Sequence, residues 1–134
     1  MEPGGVYFDA PGVASVRWDK DGQLVLVEWQ GWANSTEFSE LLEAEITALK
    51  THHGSRVLAD CRRQKVLSPA DQERANQAWL PRALAAGLKR FAVVVPSSVL
   101  AEENLKSSLD SVPSAVLDVA YFATPEQARD WLDR

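Results

Sequence analysis

Residues 57–95 constrain the fold of this chain more than any other stretch. Val57-Leu58-Ala59-Asp60-Cys61 is an apolar run containing one acidic residue, and Ser68-Pro69 follows it with a capping hydroxyl ahead of a proline at the first helical position. Trp79-Leu80-Pro81 then either kinks that helix or begins a new turn, Gly87 ends it, and Phe91-Ala92-Val93-Val94-Val95 is a second apolar run. Strand, helix and strand in that order predict a parallel sheet covered by helices. The inward side of the helix is expected to be mostly alanine, from Ala75, Ala78, Ala83 and Ala86.

The flanking segments extend the same architecture. Val6 to Phe8 is a short strand candidate stopped by Asp9-Ala10-Pro11-Gly12, whereas Ala14–Trp18 and Leu24–Trp29 form an antiparallel hairpin across Asp19-Lys20-Asp21-Gly22, with Gly22 offered for a positive φ. Leu24-Val25-Leu26-Val27 lacks alternation, so both faces of that strand should be covered. Asn34 with Glu37 makes a capping box for a helix whose apolar stripe is Phe38, Leu41, Leu42, Ile46 and Leu49. It should end near Lys50, with Gly54 free to take the left-handed cap after His52 and His53. Ser97 or Ser98 should cap a helix running through Leu105 and Leu109, Val116–Phe122 is a last strand, and Thr124-Pro125 starts a closing helix that reaches Trp131-Leu132. No repeat or linker divides residues 1–134, which read as a single domain: α/β, with a mixed four- to five-stranded sheet made of the hairpin and parallel β-α-β units, and helices mainly on one face.

Composition narrows the classes of function. Apolar residues are 46% and charged residues 25%, the balance of a folded domain, and a net charge of −5 disfavours nucleic acid or an anionic membrane as partner. No run of apolar residues approaches the ~20 needed for a membrane span, and no charged and then apolar leader opens the chain, so a cytoplasmic location is expected. Cys61 is the one cysteine and has no internal disulfide partner.

The order of elements, Leu58-Ala59-Asp60 at the end of the first parallel strand, Trp79-Leu80-Pro81-Arg82-Ala83 with Gly87, Ala92 to Pro96, and Tyr121-Phe122 before Glu126-Gln127-Ala128 and Trp131-Leu132 carry a likeness to a known family. In these features the chain resembles the small bacterial STAS-like (SpoIIAA-like) domains, of the superfamily that includes sulfate transporters and anti-sigma factor antagonists. The resemblance implies a role in protein partnering or small-ligand sensing and no enzymatic activity. The antagonists carry a phosphorylatable serine in an Asp-Ser-Ser/Thr-Gly type motif after the central strand. Here that region reads Gln64-Lys65-Val66-Leu67-Ser68-Pro69-Ala70-Asp71, without glycine or paired hydroxyls, and Ser68 reads as a helix cap.

No cluster has catalytic, metal or cofactor spacing. His52 and His53 lie at the opposite end of the sheet from Cys61, and the expectation is solvated helix-terminal histidines and a buried thiol. The surface most suited to a partner or ligand is the carboxyl edge of the parallel strands, with Asp60, Arg62, Arg63 and Lys65 after one strand and Ser97 and Ser98 after the next, together with Ser68. Trp79 stands on an otherwise polar, alanine-rich helix, where it is either a contact surface or a core residue. The sequence therefore supports a non-catalytic regulatory or protein-interaction module, docking a protein partner or a second copy as a homodimer through the Trp79 helix. The alternative is a binder of a small apolar or amphipathic, lipid-like ligand between helices and sheet, in a pocket lined by Val93, Ala75, Ala83 and Leu105.

Overall fold

Chain pairing starts one strand earlier than the sequence reading places its hairpin. In the computed structural model, which describes residues 5–65, 68–109 and 115–134 apart from the side chains of Ala101 and Ser108, β1 (Val6–Ala10) pairs antiparallel with β2 (Ala14–Asp19). Asp9 and Ala10, read from sequence as breakers, pair with Ser15 and Ala14, and Pro11-Gly12-Val13 makes the turn. β2 pairs antiparallel with β3 (Leu24–Trp29); β4 (Arg56–Asp60), β5 (Arg90–Val94) and β6 (Asp118–Phe122) then add in parallel. The sheet has six strands in chain order, where four to five were expected.

Two expected glycine roles are corrected by the backbone. In the β2–β3 turn the Asp19 carboxylate accepts the N–H groups of Asp21 and Gly22, and the left-handed residue is Gln23, at φ 53°. Gly22 is instead a close-approach site, since a Cβ there would lie 3.0 Å from the Leu24 and Arg129 side chains. At the end of α1 (Ser35–His52), His53 takes the left-handed cap at φ 51°, and a Cβ on Gly54 would lie 2.9 Å from the Trp18 ring. His52 is half-buried and not solvated as expected: its ring stacks on Trp18 at 4.3 Å and its Nε2 meets the Tyr7 hydroxyl at 2.7 Å.

Helices cover both faces unequally. The capping box at Asn34 forms as read, with Glu37 N–H donating to Asn34 Oδ1 at 2.8 Å and Asn34 N–H to Glu37 Oε1 at 3.0 Å. Helix α1 lays Phe38, Leu41, Leu42 and Leu49 on the sheet face formed by Val25, Val27, Trp29, Val57, Ala59 and Val93. Behind it α2 (Pro69–Arg74), capped by Ser68, passes through a π turn (Ala75–Trp79) into α3 (Leu80–Ala85), and α4 (Val99–Leu109) adds Leu105 and Leu109 to the same side. A π turn inserts extra chain per turn and rotates the helix beyond it. Ala83 is accordingly buried and Ala75 and Ala86 half-buried, but Ala78 points to solvent. On the opposite face, α5 (Pro125–Leu132) seals Leu24, Leu26, Leu58, Ala92 and Val94 with Ala128 and Leu132. Arg56 and Arg90 donate to the Leu132 and Trp131 carbonyls, both at 2.7 Å, placing cations at its C-terminal end. The bare run Leu24–Val27 is thus buried from both sides.

Candidate functional site: a cavity between sheet and helices

The apolar stripe of α1 contains a charge-bearing residue. Counting in helical steps from Phe38 through Leu41 and Leu42 reaches Glu45, which is held against the sheet with only 3% of its surface exposed. Among the described residues no cation pairs with it, and burial pushes its carboxyl from an ordinary 4.5 to about 8, so that it is protonated at neutral pH. At the carboxyl end of β4, Cys61 is buried, its thiol pushed upward by burial and by the nearby Asp60 and Glu45. Gln64 follows in the turn, its N–H donating to the Cys61 carbonyl at 3.0 Å, and the residue is 6% exposed. Glu45 Oε1 and Gln64 Oε1 are buried without a hydrogen-bond partner among the described residues. That is a costly condition, of ~1–3 kcal/mol for each group left unmet.

Glu45, Cys61 and Gln64 are all part of the lining of a cavity of about 80 Å³ between sheet and helices. The rest of the lining is apolar, with Phe38, Trp79, Phe91, Leu105 and Leu117 among it, apart from the side-chain amides of Gln72 and Asn76, both of which are engaged in interactions of their own. Trp79 owes its place to the π turn, which closes with Leu80 N–H donating to the Ala75 carbonyl. Its indole N–H donates to the Leu42 carbonyl at 3.0 Å and its ring meets Phe91 edge-on at 6.4 Å. Trp79 is half-buried, packed against the core on one side and open to solvent on the other. Among the described residues Trp79, Leu80, Leu105 and Leu109 are half-buried lining residues, which puts the mouth of the cavity between the α2–α3 helix and α4. Ala75 and Leu105 line it as the sequence suggested; Val93 and Ala83 are packed away in the core.

The carboxyl edge gathers a different set. Asp60, Arg62, Arg63 and Ser97 line a shallow cleft with Glu28 and Gln30, and Ser98 and Lys65 adjoin it. Arg62 is bound to Asp60 through two hydrogen bonds of 2.9 and 2.7 Å, which raises the guanidinium pKa further, and Ser97 Oγ donates to the Arg62 carbonyl at 2.9 Å. The basic side chain nearest the strand end is therefore engaged internally. Ser68 stands apart at the start of α2, its hydroxyl accepting the Asp71 N–H at 3.2 Å as a cap. Among the described residues no group of His, Cys, Asp and Glu gathers as a metal site, and no helix is long and apolar enough to cross a membrane.

Six strands with an antiparallel start, helices mainly on one face and an interior cavity define a STAS-type α/β domain. The SpoIIAA-like family model matches residues 24–133, and the chain belongs to that family. Domains of this type are generally non-catalytic and commonly interact with proteins. Among solved structures, the chain is similar to an uncharacterized protein of the DUF3478 family with a SpoIIAA-like fold from Shewanella loihica PV-4. The two share 16% identity and superpose with a TM-score of 0.62, covering 90% of this chain and 92% of that one. No curated protein matches.

Proposed function

We propose that this SpoIIAA-like domain is a non-catalytic module that binds a small amphipathic ligand in the cavity between its sheet and its helices. One observation carries the reading: a predominantly apolar cavity lined by Glu45 and Gln64, whose buried side-chain oxygens Glu45 Oε1 and Gln64 Oε1 have no hydrogen-bond partner among the described residues. A core built only for stability would fill such a space with methyl groups and would not leave polar atoms unmet. The experiment is native mass spectrometry of protein purified without detergent, before and after organic extraction. The expected result is a retained adduct of a few hundred daltons or less that extraction removes. A single bare mass that stays bare after exposure to a mixture of short-chain alcohols, acids and amines would count against the reading.

The protein-partner reading is favoured by a separate observation. Trp32 is 57% exposed, and Val99 and Leu100 are 71% and 68% exposed, on loops and a helix start at the carboxyl edge of the sheet. Exposed aromatic and aliphatic side chains of this size suit a contact with another protein. Because α4 carries Val99 and Leu100 at one end and the cavity-lining Leu105 and Leu109 at the other, occupancy of the cavity has a direct route to that edge. Alanine at Trp32 is expected to weaken capture of such a partner while leaving ligand retention intact.

A further inference from the structure

Resting on the ligand reading above, we propose that the Glu45–Gln64 pole selects a neutral head group that both donates and accepts a hydrogen bond, a hydroxyl, on an aliphatic body that leads out between α3 and α4. The inference comes from Glu45 and Gln64, whose buried oxygens have no partner among the described residues, whereas the other polar lining side chains, Gln72 and Asn76, are already engaged. Gln64 Oε1 has only lone pairs to offer and needs a donor. A protonated Glu45 carboxyl offers an O–H and a lone pair, so the proposed ligand hydroxyl, reaching both side chains, would accept from Glu45 and donate to Gln64 and so meet both buried oxygens.

Charged heads fit badly. A carboxylate carries no donor, leaves Gln64 Oε1 unmet and brings a charge into a wall with no cation among its residues. An alkylammonium would have to ionise Glu45 inside that wall, where Cys61, the other titratable lining group, is held neutral and gives no compensating charge. The size of the space sets the rest. About 80 Å³ is roughly half of an engineered apolar cavity that takes one benzene, so it encloses the head and a few carbons, and the remainder of the chain lies in the mouth against Leu80, Leu105 and Leu109.

The test is isothermal titration calorimetry at pH 6.5 with 1-hexanol, hexanoate and hexylamine, on the wild type and on Glu45→Gln, Glu45→Leu and Gln64→Leu, each checked for native circular dichroism. The hexanol is expected to bind at least tenfold more tightly than either charged analogue. Glu45→Gln, whose amide still donates and accepts, should keep that preference, while Glu45→Leu and Gln64→Leu should each weaken hexanol at least fivefold. Hexanoate or hexylamine binding as tightly as hexanol overturns the head-group assignment and leaves the ligand reading standing. Equal hexanol affinity in Glu45→Gln and Glu45→Leu overturns it as well, and binding of none of the three compounds overturns both.

Discussion

Replacing Glu45 by glutamine should stabilise the protein at neutral pH and lose that advantage in acid. In the folded chain burial raises the carboxyl from 4.5 to about 8, whereas in the unfolded chain it ionises near its ordinary value. Between those two values the native state binds the proton that the unfolded state has released, so stability falls as pH rises. Each pH unit above 4.5 costs ~1.4 kcal/mol until the native carboxyl itself ionises, which gives about 3 kcal/mol at pH 7 and about 5 kcal/mol above pH 8. Glutamine is nearly the same shape and does not ionise in either state, so the variant escapes this loss. Any change in hydrogen bonding that it introduces is independent of pH. Urea denaturation of both proteins at pH 4, 7 and 9 measures the difference directly, and subtracting the wild type removes the titration of every other group. The stability of Glu45→Gln relative to wild type should climb by about 3 kcal/mol from pH 4 to pH 7 and by a further 1–2 kcal/mol to pH 9. A difference that stays constant across the three pH values would refute the claim that Glu45 sits in the core as a neutral acid.

Three further outcomes rest on single contacts. Trp79→Phe removes the hydrogen bond to the Leu42 carbonyl and should cost ~1 kcal/mol by chemical denaturation, while Trp79→Ala, which also enlarges the cavity, should cost ~3–5 kcal/mol. Ser68→Ala should lose ~1 kcal/mol of cap energy and Ser68→Asp almost none, and neither should change the circular dichroism of the fold. Gly54→Ala should destabilise by ~1–3 kcal/mol and disturb the near-ultraviolet signal of Trp18, because the added methyl meets the ring that stacks on His52; an unchanged melting curve would show that the stack yields freely.

Punctuation made much of the fold legible in the chain. Asn34 with Glu37, Ser68-Pro69 and Thr124-Pro125 each announce a helix start through cap chemistry that is purely local, and all three caps form. The uninterrupted Leu24–Val27 run announced a strand covered on both faces for an equally direct reason. The features that stayed hidden depend on tertiary geometry. The π turn at Ala75–Trp79 decides that Trp79 packs against the core and Ala78 points to solvent, and no local propensity marks it. Gly22 and Gly54 look like turn glycines, but the space they leave is claimed by Leu24 and by Trp18. The cavity's polar pole was within reach of pattern alone: Glu45 lies seven residues after Phe38 on the stripe of α1, where a charged side chain interrupts an otherwise apolar face. Gln64 gave no such signal, since its burial comes from the turn after Cys61.

The five tryptophans allow the central claim to be tested by one measurement. Trp29 and Trp79 line the cavity, whereas Trp18, Trp32 and Trp131 do not, so the indole N–H resonances of ¹⁵N-labelled protein report separately on the interior and the surface. On titration with 1-hexanol, ligand entry into the cavity predicts saturable shifts of the Trp79 and Trp29 signals, with that of the exposed Trp32 unmoved. Shifts at Trp32 while Trp79 and Trp29 hold still would place the binding on the surface and contradict the cavity as the ligand site.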